Sequence, residues 1–224
     1  AVATVEALHR AGKRLGMDIR FGTAVTGFAR SSDIEAVKTE SDAFPCEVCV
    51  LAAGAATADI ARLVGVEIPM YDTFGATVVT SPVAPLFDGP SVLHGPKNNN
   101  LPLALRQFGD GTVVLHGGRP GHAHDESFGR TDEEADLLMA EAIRIAPGLV
   151  DAEIREIRRA RRPIPEDGQS VLGYSDIPNL YVAVTHSGVT LAPLIGEMTA
   201  IEIGDGQEVD LLDPFRPGRF RRKT

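Results

Sequence analysis

The spacing of apolar residues changes character twice along these 224 residues, and few folds accommodate the order in which it changes. Residues 2–15 place Val2, Val5, Leu8, Ala11 and Leu15 at helical spacing, and Gly16 follows as a stop signal. Residues 17–30 read as a short strand, a turn at Gly22-Thr23 and a second strand, with residues 34–39 as its antiparallel partner. The apolar run 46–53 reads as a buried strand that passes Gly54 into a helix over residues 57–63. From Phe74 the pattern turns to β, through residues 74–80, 91–94, 101–108 and 112–116, with Gly109-Asp110-Gly111 as a hairpin signal. Helical spacing returns over 131–145, where Thr131 and Glu134 predict a capping box and Pro147 a stop. Strands are expected at 154–161, 170–172 and 181–184, then a helix over 189–203 ended by Gly204. A central, mostly antiparallel β section therefore interrupts an α/β unit. This order predicts a mixed α+β and α/β fold of two interleaved domains.

The charge balance narrows the partners. A formal net charge of -9 opposes binding along a phosphate backbone, and the absence of Trp removes one common platform for stacked bases. The basic tail of Arg216, Arg219, Arg221, Arg222 and Lys223 reads as a solvated or partner-docked terminus. The longest apolar stretches, such as residues 49–53 and 182–184, are far shorter than the roughly 20 residues of a membrane helix. With no secretory pattern at Ala1-Val2-Ala3-Thr4, a cytoplasmic location is expected.

Other constellations carry less. Cys46 and Cys49, three apart in an extended run, are expected on opposite faces of a strand as small core residues, unable to share a metal or close a disulfide. His122 and His124, on alternate residues, and the adjacent Asp125 offer ligands, but Gly117-Gly118-Arg119-Pro120-Gly121 before them marks a loop, and no metal is expected. Ser187 beside His186, without a G-x-S-x-G turn, does not make a hydrolase.

A set of short motifs, taken in order, is more specific. Gly22-Thr23-Ala24-Val25-Thr26-Gly27 and Val50-Leu51-Ala52-Ala53-Gly54-Ala55 come first, followed by Gly65-Val66-Glu67-Ile68-Pro69 and Phe74-Gly75-Ala76-Thr77-Val78-Val79-Thr80. Then come Arg162-Pro163 with Asp167-Gly168, Val171-Leu172-Gly173, Asn179-Leu180-Tyr181-Val182-Ala183, and His186-Ser187-Gly188-Val189-Thr190-Leu191-Ala192-Pro193 with Gly196. The last is Pro214-Phe215-Arg216-Pro217-Gly218-Arg219-Phe220. In this order, across nearly the whole chain, they resemble the C-terminal portion of the D-amino-acid oxidase and glycine oxidase family of flavoproteins.

The resemblance implies FAD as cofactor and oxidation of a small amine or amino-acid substrate by hydride transfer to the flavin. It implies a remainder of the FAD-binding domain at residues 1–68 and 166–224, with a substrate-binding sheet at 69–165. Arg162 is implied to face the substrate carboxylate, which a guanidinium can hold through two parallel hydrogen bonds, and Arg106 to line the substrate cavity. The bland alternative is that the cluster Arg155, Arg158, Arg159, Arg161 and Arg162 only pairs with surface acids. Val25, Ala52, Ala53 and Gly54 are implied at the adenosine part of the cofactor. His186, Ser187, Gly188, Val189, Thr190 and Leu191 would bring a helix start, with its exposed N–H groups, to the flavin ring. Thr185 stands where the family commonly has glycine, and no residue is assigned to acid–base catalysis. The family's G-x-G-x-x-G loop for the cofactor pyrophosphate has no match here. The resemblance therefore leaves three readings open: an enzyme, a non-catalytic remainder, or one subunit whose partner supplies that loop. Homo-oligomerisation is left open too.

Overall fold

The computed structural model describes residues 2–88, 92–94, 103–117 and 132–221. In chain order the elements are helix α1 (Val2–Arg14), strands β1 (Val25–Arg30), β2 (Ile34–Thr39), β3 (Ala43–Pro45) and β4 (Cys49–Leu51), and helix α2 (Thr57–Arg62). Strands β5 (Phe74–Thr80), β6 (Val92–His94), β7 (Leu103–Gln107) and β8 (Val113–Gly117) precede helix α3 (Glu133–Ile145) and strand β9 (Ile154–Arg161). Strands β10 (Val171–Tyr174) and β11 (Leu180–Val184) lead to helix α4 (Gly188–Ala200). Two compact units result, one of Ala1–Met70 with Pro165–Thr224 and one of Tyr71–Ile164. Among the described residues no helix is long and apolar enough to cross a membrane.

In the first unit β1, β2 and β3 form an antiparallel meander, and a second sheet runs β10-β11-β4. Within that second sheet β11 pairs antiparallel with β10 and parallel with β4, which leaves β4 at the edge. Ile34, Leu51, Ala61, Val171, Leu180 and Val182 share one core between them. One side chain stitches the two sheets together. The Asn179 amide donates to the Ile34 carbonyl at 2.8 Å and the Glu47 carbonyl at 2.9 Å, while its Oδ1 accepts the Ile34 N–H at 2.8 Å. Its main-chain carbonyl accepts the Cys49 N–H at 2.9 Å, so a single asparagine uses donors and acceptors at once.

Several expectations fail for local reasons. Residues 17–24 form no strand: Gly22 turns the chain at φ +65, the Thr23 hydroxyl donates to the Phe21 carbonyl, and the Phe21 ring meets His9 edge-on at 5.3 Å. Residues 46–53 are not one buried strand either. The chain bends at Glu47-Val48, where Asn179 holds the Glu47 carbonyl, and only Cys49–Leu51 is extended, with Val50 46% exposed. The bend breaks the alternation that would put Cys46 and Cys49 on opposite faces, and both pack on one apolar core, Cys49 buried and Cys46 half-buried. Helix α3 starts at Glu133, and the Asp132 carboxylate before it makes no cap bond and pairs with Arg159; Thr131, the expected cap, lies outside the described residues. Gly204 does not end α4: the helix widens into a π turn over Ile201–Asp205, and Gly206, at φ +64, closes it.

The second unit is a five-stranded antiparallel sheet in the order β6-β7-β8-β5-β9. Helix α3 covers one face, burying Ala135, Leu138 and Ala142 against Ala76, Val78, Leu103, Leu105, Val113 and Leu115. Because side chains alternate along a strand, Gly75, Thr77, Ala104, Arg106 and His116 stand on the face away from α3.

Candidate functional site

Beside that second face lies the one arginine of the basic cluster that, among the described residues, has no acidic partner. Arg155, Arg158 and Arg159 pair with Glu153, Glu156 and Asp132, and Arg161 binds Asp72 at 2.9 Å. Arg162 differs. It is half-buried, its guanidinium donates to the main-chain carbonyls of Phe74 and Gly117, each at 3.2 Å, and among the described residues it meets no carboxylate. Its seat is Gly75: a Cβ there would lie 2.7 Å from Arg162 Nη2 and 2.8 Å from Nε. The cross-strand row His94, Ala104, His116 and Thr77 runs across the same face. Burial lowers the proton affinity of His116, and charge at His94 and Arg162 lowers it further, so the imidazole is held neutral beside a permanent cation. Arg106 lies two residues along β7 from Ala104 with its guanidinium 4.8 Å from the Phe108 ring centroid. A half-buried guanidinium with no counter-ion among the described residues, beside a neutral imidazole, suits an incoming anion with a planar oxygen pair.

The first unit holds a cleft of about 700 Å³ between the end of β4 and helix α4. Val50, Ala52 and Gly54 line one side, Thr185 and Gly188 the mouth, and Ala192, Gly196, Thr199 and Ala200 the helix side. Gly188, Ala192, Gly196, Ala200 and Gly204 recur every four residues, so one helical row carries almost no side chain and admits a flat group close to the backbone. Gly54 at φ +56 turns the chain out of β4, a conformation that costs glycine little. At the start of α4 no side chain caps the first turn. The Ser187 hydroxyl bonds the His186 Nδ1 at 2.7 Å instead, and Thr185 Oγ1 bonds the Ser170 hydroxyl at 2.9 Å and accepts the Ser187 N–H at 3.3 Å. The amide N–H groups of the first turn keep their partial positive charge at the cleft mouth.

The sequence profile of the DAO family, described as FAD dependent oxidoreductase, matches residues 1–201. The chain belongs to this FAD-dependent oxidoreductase family. Among relatives of this family, the bifunctional protein ThiO/ThiG of Synechocystis sp. is 29% identical over 229 residues, covering 98% of this chain and 33% of that protein. An opine oxidase subunit of Agrobacterium tumefaciens is 26% identical, covering 98% of this chain and 56% of the relative. The L-proline dehydrogenase structure from P. horikoshii superposes with a TM-score of 0.77 at 23% identity, over 94% of this chain and 57% of the other. The chain thus spans between a third and about half of the curated relatives it matches.

The residues singled out from sequence fall into three places. Ala52, Gly54 and Gly188 line the cleft, whereas Val25, Ala53, His186, Ser187, Val189, Thr190 and Leu191 are not among its lining residues. Val25 opens β1 in the meander. Arg162 and Arg106 share the open face of the second unit. His122, His124 and Asp125 lie outside the described residues; among the described ones no three His, Cys, Asp or Glu side chains gather as metal ligands. Gly75 and His116 join the site although the sequence assigns them no binding role, and Thr185, which stands where the family commonly has glycine, lines the cleft. A glycine inside the strand pattern of residues 74–80 was the available signal for Gly75, since it marks a close approach.

Proposed function

We propose that this chain forms the substrate-facing part of a FAD-dependent enzyme that oxidises an amino acid or a carboxylate-bearing secondary amine. The observation that carries this reading is Arg162, the one arginine of residues 155–162 that meets no carboxylate among the described residues. In this reading Tyr71–Ile164 is the substrate-binding unit. Arg162 holds the substrate carboxylate, the neutral His116 adds no second positive charge that would compete for it, and Arg106 borders the same face. The other unit offers the cleft of small residues for the flavin. Ala52, Gly54 and Gly188 permit close approach of a flat ring system, and the first-turn N–H groups of α4 favour negative charge at the ring. When bound, the flavin supplies the two-electron acceptor for the hydride leaving the carbon that bears nitrogen. A cytoplasmic setting belongs to this reading.

A second reading, in which another segment or a partner subunit completes the flavin site, is favoured by β4, whose outer edge is unpaired among the described residues beside the cleft. This chain carries no G-x-G-x-x-G loop for the pyrophosphate, and one relative is named as a subunit. The test is gel filtration after incubation with FAD. If the 224 residues alone elute with flavin absorbance, they bind the cofactor unaided and the second reading fails. If they elute colourless but become yellow with the complementary polypeptide present, the second reading stands.

A further inference from the structure

We propose that Cys46 and Cys49 form a reversible dithiol–disulfide pair that exchanges with low-molecular-weight disulfides of the glutathione type. Both are free thiols in the structure, and their spacing alone would set them on opposite faces of an extended strand. The bend at Glu47-Val48 breaks that alternation, so both can face the same side. It is held at several points: the Cys46 N–H donates to the Glu35 carbonyl at 3.2 Å, the Asn179 amide holds the Glu47 carbonyl, and the Cys49 N–H donates to the Asn179 carbonyl. Both side chains pack into the same apolar core, Cys49 fully buried and Cys46 half-buried at its margin.

The two positions are chemically unequal. Cys49 is buried and Cys46 only half-buried, so the Cys46 sulfur is the one an external disulfide reaches first. Burial pushes the Cys49 thiol up to about 11 and raises Cys46 as well, so neither is a ready nucleophile at neutral pH and exchange is slow. In the first step Cys46 loses its proton and its sulfur attacks the external disulfide, forming a mixed disulfide and expelling one thiolate. Cys49 then loses its proton, attacks the Cys46 sulfur and expels the second thiolate, which takes up a proton as the first did. Two protein thiols are oxidised by two electrons and one external disulfide is reduced to two thiols. The product ties the bend after β3 to the first residue of β4, the strand that runs on to Ala52 and Gly54.

The experiment is equilibration of the folded protein in graded mixtures of oxidised and reduced glutathione, followed by alkylation and intact mass measurement. The wild type is expected to lose about 2 Da without retaining glutathione, and to regain both alkylation sites when reduced glutathione is restored. Cys49→Ser should stop at a glutathione adduct on Cys46, and Cys46→Ser should react roughly tenfold more slowly, because its remaining thiol is the buried one. The proposal is overturned if the folded wild type keeps both thiols free in oxidised glutathione, keeps a glutathione adduct, or cross-links only between molecules.

Discussion

Replacing Arg162 with alanine in the complete enzyme is expected to raise KM for a carboxylate-bearing substrate by roughly 30- to 1,000-fold, about 2 to 4 kcal/mol, while leaving thermal stability nearly unchanged. The expectation follows from what Arg162 touches. Its bonds inside the protein go to the Phe74 and Gly117 carbonyls at 3.2 Å, and no acid among the described residues depends on it for charge balance. Steady-state kinetics with an amino acid and with its decarboxylated amine separate this from a general loss: only the acid should suffer. Gly75→Ala supplies a second route to the same effect without removing the charge. Its methyl group would press on the guanidinium at under 3 Å, and the flexible arginine would swing off its seat at little cost to folding. An Arg162→Ala enzyme with unchanged KM removes Arg162 from substrate recognition.

The second large effect concerns stability. Arg216→Ala should lower the stability of the unit formed by Ala1–Met70 and Pro165–Thr224 by about 3 kcal/mol, because it strands a buried carboxylate. The Glu202 side chain is only 4% exposed and takes two bonds from Arg216, at 2.6 and 2.8 Å, plus the Tyr181 hydroxyl at 2.7 Å and the Val209 N–H at 2.9 Å. Burial alone would raise the Glu202 carboxyl, yet Arg216, the Val209 N–H and Tyr181 outweigh it and hold the group below its ordinary 4.5. The unfolded chain therefore takes up that proton first. The stabilisation is present in full above pH 4.5 and is lost as the pH falls from there through the lower folded value. Burial and the neighbouring carboxylate push the Tyr181 hydroxyl up to about 12, so it stays a donor throughout this range. Thermal melts of wild type and Arg216→Ala across acid pH check the claim: the variant should lose the wild type's steep acid slope. Equal melting temperatures would show that the network contributes nothing net.

Much of this architecture is legible in the sequence because it rests on local chemistry. The alternation in residues 74–80, the Gly109-Asp110-Gly111 turn and the helical spacing of residues 133–145 each name their element without help from distant residues. What escapes is set by partners far along the chain. Residue 179 lies 132 positions from residue 47, and its amide decides that the run from Cys46 breaks. Nothing within residues 44–53 announces that bend. The carboxylate of Asp132, just before α3, is likewise claimed from far along the chain, by Arg159 across 27 positions. The candidate site divides along the same line. Ala52, Gly54, Gly188 and the Arg162 of the Arg162-Pro163 pair could be marked from motif order, but the physical reason that Arg162 and not Arg161 is left without an acid is the pairing register, which gives Asp72 to one and a glycine seat to the other.

The most direct test of the central claim is anaerobic reduction of the complete, flavin-loaded protein, following loss of the oxidised flavin's visible absorbance. Proline, glycine or N-methylglycine should bleach it, whereas pyrrolidine, methylamine and dimethylamine, which keep the nitrogen but lack the carboxylate, should leave it yellow. Equal bleaching by the acids and by the bare amines would contradict the account, since nothing would then be left for Arg162 to recognise.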